Sequence, residues 1–264
     1  MQSKTHQTQS ITDTLDPARA AALEATLGQT PSIQSGDALP PFAHHIYFWD
    51  AQTPDALGPD GHPATGGFIP DLGLPRRMWA AGRIVQHQPL KAGIKAEKFS
   101  TVEAVTRKDG RSGPLAFVRV RHDIKQRHAL AVTEWQELVY RPQDAKPADP
   151  TPAPKVAAHS EPLAFTSTQL FRYSALTFNG HRIHYDADYA RDVEGYAGLV
   201  VHGPLLAHLM MQLAVKMHGS FTDFSYRGSS PLILGETATL CANDGQFWVR
   251  GGDGRLCTSG QITA

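Results

Sequence analysis

Phe178 to Leu206 reads FNGHRIHYDADYARDVEGYAGLVVHGPLL. Two polar residues, Asn179 and His184, stand upstream of a long apolar segment that opens with Gly203 and Pro204. Proline suits the first turn of a helix, where no N–H is needed, and the first N–H groups of a helix lack intrahelical acceptors. A buried helix start can therefore hold a developing oxyanion, and a histidine beside it can move protons near neutral pH. The stretch predicts a loop followed by a helix, suited to an electron-poor carbonyl. The run Gly198 to Met217 carries His202, Pro204, His208, Gln212 and Lys216 and does not read as a bilayer span. It is apolar around most of its circumference, so a sheet is expected to wrap it.

The second half follows from that core. A strand is expected over Phe165–Phe178, then the polar loop, then the helix Leu205–Met217 with Gly219 as its stop. Strands are expected at Phe224–Gly228, Glu236–Asn243, Gln246–Arg250 and Leu256–Thr263, the last after the turn Gly251–Gly254. Upstream, residues 142–164 are proline-rich and lack aromatics, which predicts a semi-rigid linker between the halves 1–141 and 165–264. In the first half, residues 1–10 read as a disordered leader. Leu15–Gly28 reads as a helix capped by Asp16 with Pro17 in its first turn. Leu39–Asp50 reads as a short buried helix and Ala51–Pro75 as a long loop of the kind that is usually functional or mobile. Met78–Val85, Ile94–Thr106, Leu115–Ile124 and Ala129–Tyr140 then read as antiparallel meander strands, with no helix-sized segment between them.

The 264 residues carry 25 Lys+Arg against 25 Asp+Glu, a formal net charge of zero that gives no reason for broad attraction to nucleic acid or an anionic membrane. Two cysteines, Cys241 and Cys257, do not make a disulfide framework and read as core thiols of a cytoplasmic protein. The N-terminal MQSKTHQTQS lacks an apolar signal core.

The run Phe178-Asn179-Gly180-His181-Arg182-Ile183-His184-Tyr185-Asp186, with Ala190 beyond it and Val200-Val201-His202-Gly203 later, resembles the MaoC-like (R)-specific enoyl-CoA hydratases, the type 2 hydratases. It is most similar to a two-part branch that includes mesaconyl-C4-CoA hydratase, itaconyl-CoA hydratase and mitochondrial hydroxyacyl-thioester dehydratase type 2. Weaker likeness extends through LDPARAAALEATLG, PRRMWAAGRI and EWQELVYR. The resemblance implies an α+β double hotdog fold, two antiparallel sheets each wrapping a central helix, with the catalytic loop kept in the second half. It implies a hydro-lyase that reversibly adds water to an enoyl-CoA, with a short or branched dicarboxylyl-CoA as the expected substrate. CoA belongs to the substrate and no separate cofactor is expected.

Four residues separate Asn179 from His184, which keeps the family's catalytic spacing. His184 is the expected general base and proton shuttle. Asn179 stands where the wider family has aspartate; an amide cannot act as an acid, but it can hold and orient water. Gly203 N–H is the expected oxyanion donor. Arg182, where simpler members carry proline, could clamp a distal carboxylate, or equally serve in an ion pair. His202, Arg172 and Arg227 are further candidates for substrate binding, together with the Arg76-Arg77 pair. The HxxH of His181 and His184, near Asp186 and Asp188, is too weak a motif to predict a metal. Three alternatives remain open: dehydration of 3-hydroxyacyl groups on acyl carrier protein or CoA, a thioesterase, and a non-catalytic acyl-CoA binding module. The helix offers His208 and Gln212 but no acid, which argues against the thioesterase. Monomer and homodimer are both compatible with the fold.

Overall fold

A computed structural model describes residues 2–3, 7–110, 113–143 and 149–263. Strands β1 (Gln2–Ser3) and β2 (Thr8–Thr14) come first, then helix α1 (Pro17–Thr26). Strands β3 (Arg76–Gln86), β4 (Lys95–Gly110), β5 (Gly113–Gln126) and β6 (Ala129–Arg141) complete the first half. The second contains β7 (His159–Leu163), helices α2 (Ser167–Thr177), α3 (Ala187–Asp192) and α4 (Gly203–His218), and strands β8 (Asp223–Gly228), β9 (Ala238–Asn243), β10 (Gln246–Gly251) and β11 (Leu256–Ile262). All pairings between strands are antiparallel, in the order β1-β4-β5-β6-β3-β8-β11-β10-β9-β7, with β2 also on β4.

The two halves share one sheet. Its seam is the β3–β8 pairing, which sets Gly82 opposite Tyr226 and Ile84 opposite Phe224. Phe224 and Tyr226 point to the buried face, while the alternate residue Arg227 is exposed on the outer one. Helix α4 lies on the inner face against β8, β10 and β11. Leu205, Leu206, Ala207, Met210, Met211, Leu213 and Ala214 are buried along it. Each such leucine or methionine contributes roughly 1.5–3 kcal/mol by leaving water. Gly260 of β11 makes this packing possible, because a Cβ there would come within 2.7 Å of the Phe224 ring.

Several expectations are corrected. Phe165–Phe178 is not a strand: it is helix α2. Thr166 caps it by accepting from Gln169 N at 3.1 Å, and Leu170, Tyr173 and Ser174 recur at helical spacing on its buried face. Its threonines and aromatics favour strands intrinsically, but the buried face decides. The leader is not wholly without structure, since residues 8–14 form β2 along β4; positions 1 and 4–6 lie outside the described residues. The semi-rigid linker expected over 142–164 takes part in the fold. Positions 144–148 are outside the described residues, but His159–Leu163 forms the edge strand β7 on β9, and Ala153 is buried with Cys241 and Trp248. Pro162 is tolerated because edge strands need fewer N–H donors.

The inner face of the first half carries no helix comparable to α4 among the described residues. The expected helix in Leu39–Asp50 is only a 3-10 turn, Ala43–Ile46, and Phe42 (φ 71°) and Phe48 (φ 59°) bracket it in left-handed conformations that stop propagation. Helix α1 matches its expected caps, with Asp16 Oδ1 accepting from Ala18 N at 2.8 Å. Cys241 and Cys257 are free and buried. Among the described residues no helix is long and apolar enough to cross a membrane.

At the seam, a Cβ on Gly82 would collide with the Tyr226 phenol. Gly82→Ala is expected to cost about 1–3 kcal/mol in urea unfolding, the usual range for overpacking a filled core. Gly67→Ala, in a loop where nothing lies within 4 Å, should stay within about 0.5 kcal/mol of the parent.

Candidate active site

Helix α2 ends at Phe178, whose left-handed backbone (φ 53°) turns the chain sharply. Asn179 N then donates to Ser174 O at 2.9 Å, and Asn179 Oδ1 accepts from His181 N at 3.0 Å, a side-chain turn that suits asparagine. A 3-10 turn over Arg182–His184 follows, and Asp186 caps α3 by accepting from Tyr189 N. Ile183 is buried with Tyr189, Ala190 and Val200, and its carbonyl accepts from Val200 N at 2.9 Å. The loop is thereby tied to the segment that leads into α4.

His184 Nδ1 lies 2.7 Å from the Val200 carbonyl oxygen. A carbonyl only accepts, so Nδ1 carries the hydrogen and the neutral ring presents its lone pair at Nε2. Nε2 has no hydrogen-bond partner among the described residues. The His202 ring stacks on His184 at 3.7 Å and 19°, and His181 meets it edge-on at 5.4 Å. Burial, then the neighbouring His202 and His181 rings, hold His184 well below the ordinary imidazole value. The ring is thus a neutral base near pH 7.

Gly203, next in the chain after the stacked His202, starts α4, and a Cβ on it would meet nothing within 4 Å. The loop that carries Asn179 and His184 thus lies beside the segment that leads into Gly203. His202 takes a supporting place instead: it is fully buried, and its Nε2 shares a 2.8 Å hydrogen bond with Ser174 Oγ.

The arginine candidates do not gather there. Arg182 is held by Asp186 at 2.7 Å, donates to Pro59 O at 3.2 Å and lies 4.1 Å over the Tyr189 ring. Its i,i+4 carboxylate occupies the fork that a substrate clamp would need. Arg172 is exposed on α2. Arg227 lines a groove of about 770 Å3 on the outer face of the sheet, with Arg83, Arg119 and Trp135. Arg76 is buried and bound to Glu194, by its Nη2 to the backbone carbonyl at 2.9 Å and to the carboxylate at 3.2 Å. The charge of Arg77, after burial, helps hold His62 down to about 4.

The loop 51–75 supplies residues that the sequence did not single out. His62 Nδ1 pairs with Asp60 Oδ2 at 2.9 Å, and the His62 ring lies 4.4 Å from His181. Asp60 O accepts from Arg182 N at 2.9 Å, and Gly61 and Gly180 pack backbone against backbone with no room for a Cβ on either. On its other side His181 Nε2 reaches Glu194 at 3.4 Å. Asp60, His62 and His181 bring one ligand atom each within 4.8 Å of one another and could hold a metal ion; His44, His45 and Glu134 form a second such group in the first half. Of the HxxH pair only His181 belongs to one of these groups: His184 Nδ1 is engaged with Val200 O, and the nearby Asp186 and Asp188 are engaged with Arg182 and Arg191. The length of the loop was the one sequence signal for His62, and no local motif marks Glu134 or Glu194.

Six histidines, five of them buried and His62 half-buried, have lowered values, with desolvation as the main cause: His62 to about 4, His122, His202 and His208 to about 3, and His44 and His184 downward. In the unfolded chain they take up protons near ~6.5, so the unfolded state binds more protons below that pH. Stability should therefore fall on acidification through about pH 6.5 to 4, by at most about 1.4 kcal/mol per pH unit for each histidine. Melting temperatures at pH 7 and pH 5 check this; equal values would contradict the buried-neutral assignment.

The family model of hydroxyacyl-thioester dehydratase type 2 matches residues 42–234. The mesaconyl-C4-CoA hydratase of Chloroflexus aurantiacus is 45% identical over 235 residues, covering 86% of this chain and 82% of the relative. The mitochondrial hydroxyacyl-thioester dehydratase type 2 of Schizosaccharomyces pombe is 28% identical over 274 residues, covering 90% and 91%. Among solved structures, HtdX of Mycobacterium tuberculosis superposes with a TM-score of 0.67 at 18% identity, covering 96% of this chain and 99% of that one. A second mycobacterial protein, described as a double hotdog, gives 0.63 at 13% identity and covers 98% and 96%. The fold is thus a double hotdog in which a short 3-10 turn stands in for the first central helix, and the chain belongs to the hydroxyacyl-thioester dehydratase type 2 family of MaoC-like proteins.

Proposed function

We propose that the protein reversibly hydrates the double bond of an enoyl-CoA thioester, and that its substrate is a short or branched dicarboxylyl-CoA of the mesaconyl-C4 type. The observation that carries this reading is the tautomer of His184. With Nδ1 committed to Val200 O, the free Nε2 is a base of fixed direction in a region bordered by a helix start. The 45% identity to a mesaconyl-C4-CoA hydratase supports the acyl class.

In this reading water attacks the β-carbon as His184 Nε2 takes its proton. The Asn179 amide holds that water; its Oδ1 is already engaged with His181 N, which leaves the Nδ2 donors to orient it. Negative charge builds on the thioester oxygen, which Gly203 N–H and the start of α4 stabilise. The imidazolium then returns the proton to the α-carbon, which completes a hydration without a redox partner or a cofactor beyond the CoA of the substrate. The same steps reversed dehydrate a 3-hydroxyacyl thioester. A cytoplasmic location suits the two free thiols, and a monomer or homodimer suits a double hotdog.

The test is loss of enoyl-thioester absorbance on mesaconyl-C4-CoA and crotonyl-CoA, with carrier-protein thioesters in parallel. His184→Ala should lower kcat by about 10²–10⁴, the usual contribution of a positioned acid-base group. Gly203→Ala should fold normally, since its methyl meets no protein atom, yet lose at least about tenfold in kcat/KM by intruding where the thioester sits. A His184→Ala protein with full activity would overturn the assignment, and thiol release without loss of the double bond would make the protein a thioesterase.

A further inference from the structure

One turn of the first half, Asp60-Gly61-His62, grips the catalytic loop of the second. The turn is locked on itself. Asp60 accepts twice from His62, at Oδ1 from the backbone N–H at 3.0 Å and at Oδ2 from ring Nδ1 at 2.9 Å. A carboxylate accepts, so Nδ1 carries the hydrogen and the imidazole is held in one orientation. Gly61, with φ 87°, lies against Gly180, and neither has room for a Cβ. Asp60 O accepts from Arg182 N at 2.9 Å, and Tyr185 OH donates to Gly180 O at 2.8 Å. The turn therefore holds the loop at Gly180 and Arg182, the two neighbours of His181.

His181 is the residue so framed. Its backbone N–H donates to Asn179 Oδ1 at 3.0 Å, and its carbonyl accepts from His184 N at 3.2 Å. Its ring meets the His184 ring edge-on at 5.4 Å. Among the described residues its one side-chain hydrogen bond is long, 3.4 Å from Nε2 to Glu194. The His62 ring, 4.4 Å away, packs against it. A long hydrogen bond is a weak restraint, so the packing of His62 is needed to fix the ring. His181 in turn touches both groups to which the hydration assigns a role.

We propose, on the hydratase reading of the site, that Asp60 and His62 are positioning residues: through His181 the divergent half sets the place of the water-holding Asn179 and of the His184 base. Neither side chain has to reach the substrate to matter. A displacement of about 1 Å at a reacting group can cost roughly 10²-fold in rate. The loop 51–75 thus serves the reaction by holding its acid-base residue in register.

Kinetics on mesaconyl-C4-CoA, paired with hydrogen exchange over residues 178–186, test this. His62→Ala should lower kcat about 10- to 100-fold with KM within about threefold. Exchange over 178–186 should quicken at least about tenfold, with residues 203–218 unchanged. His62→Asn places an amide N–H where Nδ1 stands, whereas His62→Gln does not; the first should stay at least about fivefold faster in kcat than the second. That pair keeps a polar side chain and serves if the alanine variant does not fold. His181→Ala combined with His62→Ala should be no slower than the slower single variant by more than about twofold, because one acts through the other. Losses that multiply in the double variant, a rise in KM alone, or a kcat within about twofold of the parent in His62→Ala would refute the positioning role. So would loss of the parent's activity with EDTA and its return with zinc, which would make Asp60, His62 and His181 a metal site. Faster exchange in His62→Ala, with a parent that turns over no enoyl-CoA, would overturn the hydratase reading and leave the tie between the halves standing. An active parent with kcat and exchange unmoved in His62→Ala would do the reverse.

Discussion

The hydrogen bond from His184 Nδ1 to the Val200 carbonyl is the constraint on which the site depends. It joins two pieces of chain that are 16 residues apart and fixes the tautomer of the ring. Its acceptor is held from both sides. Val200 N donates to Ile183 O, and Val201 N donates to Leu232 O, so the segment that launches α4 cannot slide without breaking backbone hydrogen bonds. Helix α4 is anchored in turn by the apolar face it buries against β8, β10 and β11. The direction of one lone pair thus rests on the packing of the whole second half, as precise positioning of a base requires.

The two halves are built alike but used differently. Where α4 fills the second sheet with leucine, methionine and alanine, the first sheet is closed by a short turn between two left-handed phenylalanines. The missing helix leaves room for the polar group around Glu134 and for the loop 51–75, which seals Val102, Val118, Leu138 and Tyr140 with Leu72, Phe68 and Ile69. That loop also presses Asp60, Gly61 and His62 onto the catalytic loop. The divergent half is a shaped wall facing the chemistry of its partner half.

Much of this was legible in the sequence. Strand β5 stood out by its alternation of buried and open residues, and β3, β4 and β6 as its neighbours in a run with no helix-sized segment between them. Helix α4 stood out because nearly every turn is apolar. The loop residues Asn179 and His184 and the helix start at Gly203 were singled out by the resemblance of their stretch to a family motif, and in the structure the His184 ring stacks on His202, next to Gly203. Helix α2 was missed because threonine and aromatic residues read as strand, and only tertiary burial of Leu170, Tyr173 and Ser174 settles its form. Of the two readings left open for Arg182 the structure has the ion pair, and Arg227 lies on the outer face because charge alone does not tell which side of a strand a guanidinium will take. Lys98, His122 and Glu134 sit on three successive strands at sequence distances of 24 and 12 residues, so no local motif could reveal that they share one cavity.

The seam between β3 and β8 carries a further meaning for dissecting the molecule. A cut in the stretch 142–158 would leave two fragments, each with one bare strand and half of a continuous ladder. Ile84 and Phe224 would be stripped of their neighbours on both sides of the break. Neither fragment would be an autonomous folding unit, yet each would offer the other a ready template, so the halves are better regarded as complementing pieces than as modules that could be shuffled into other proteins.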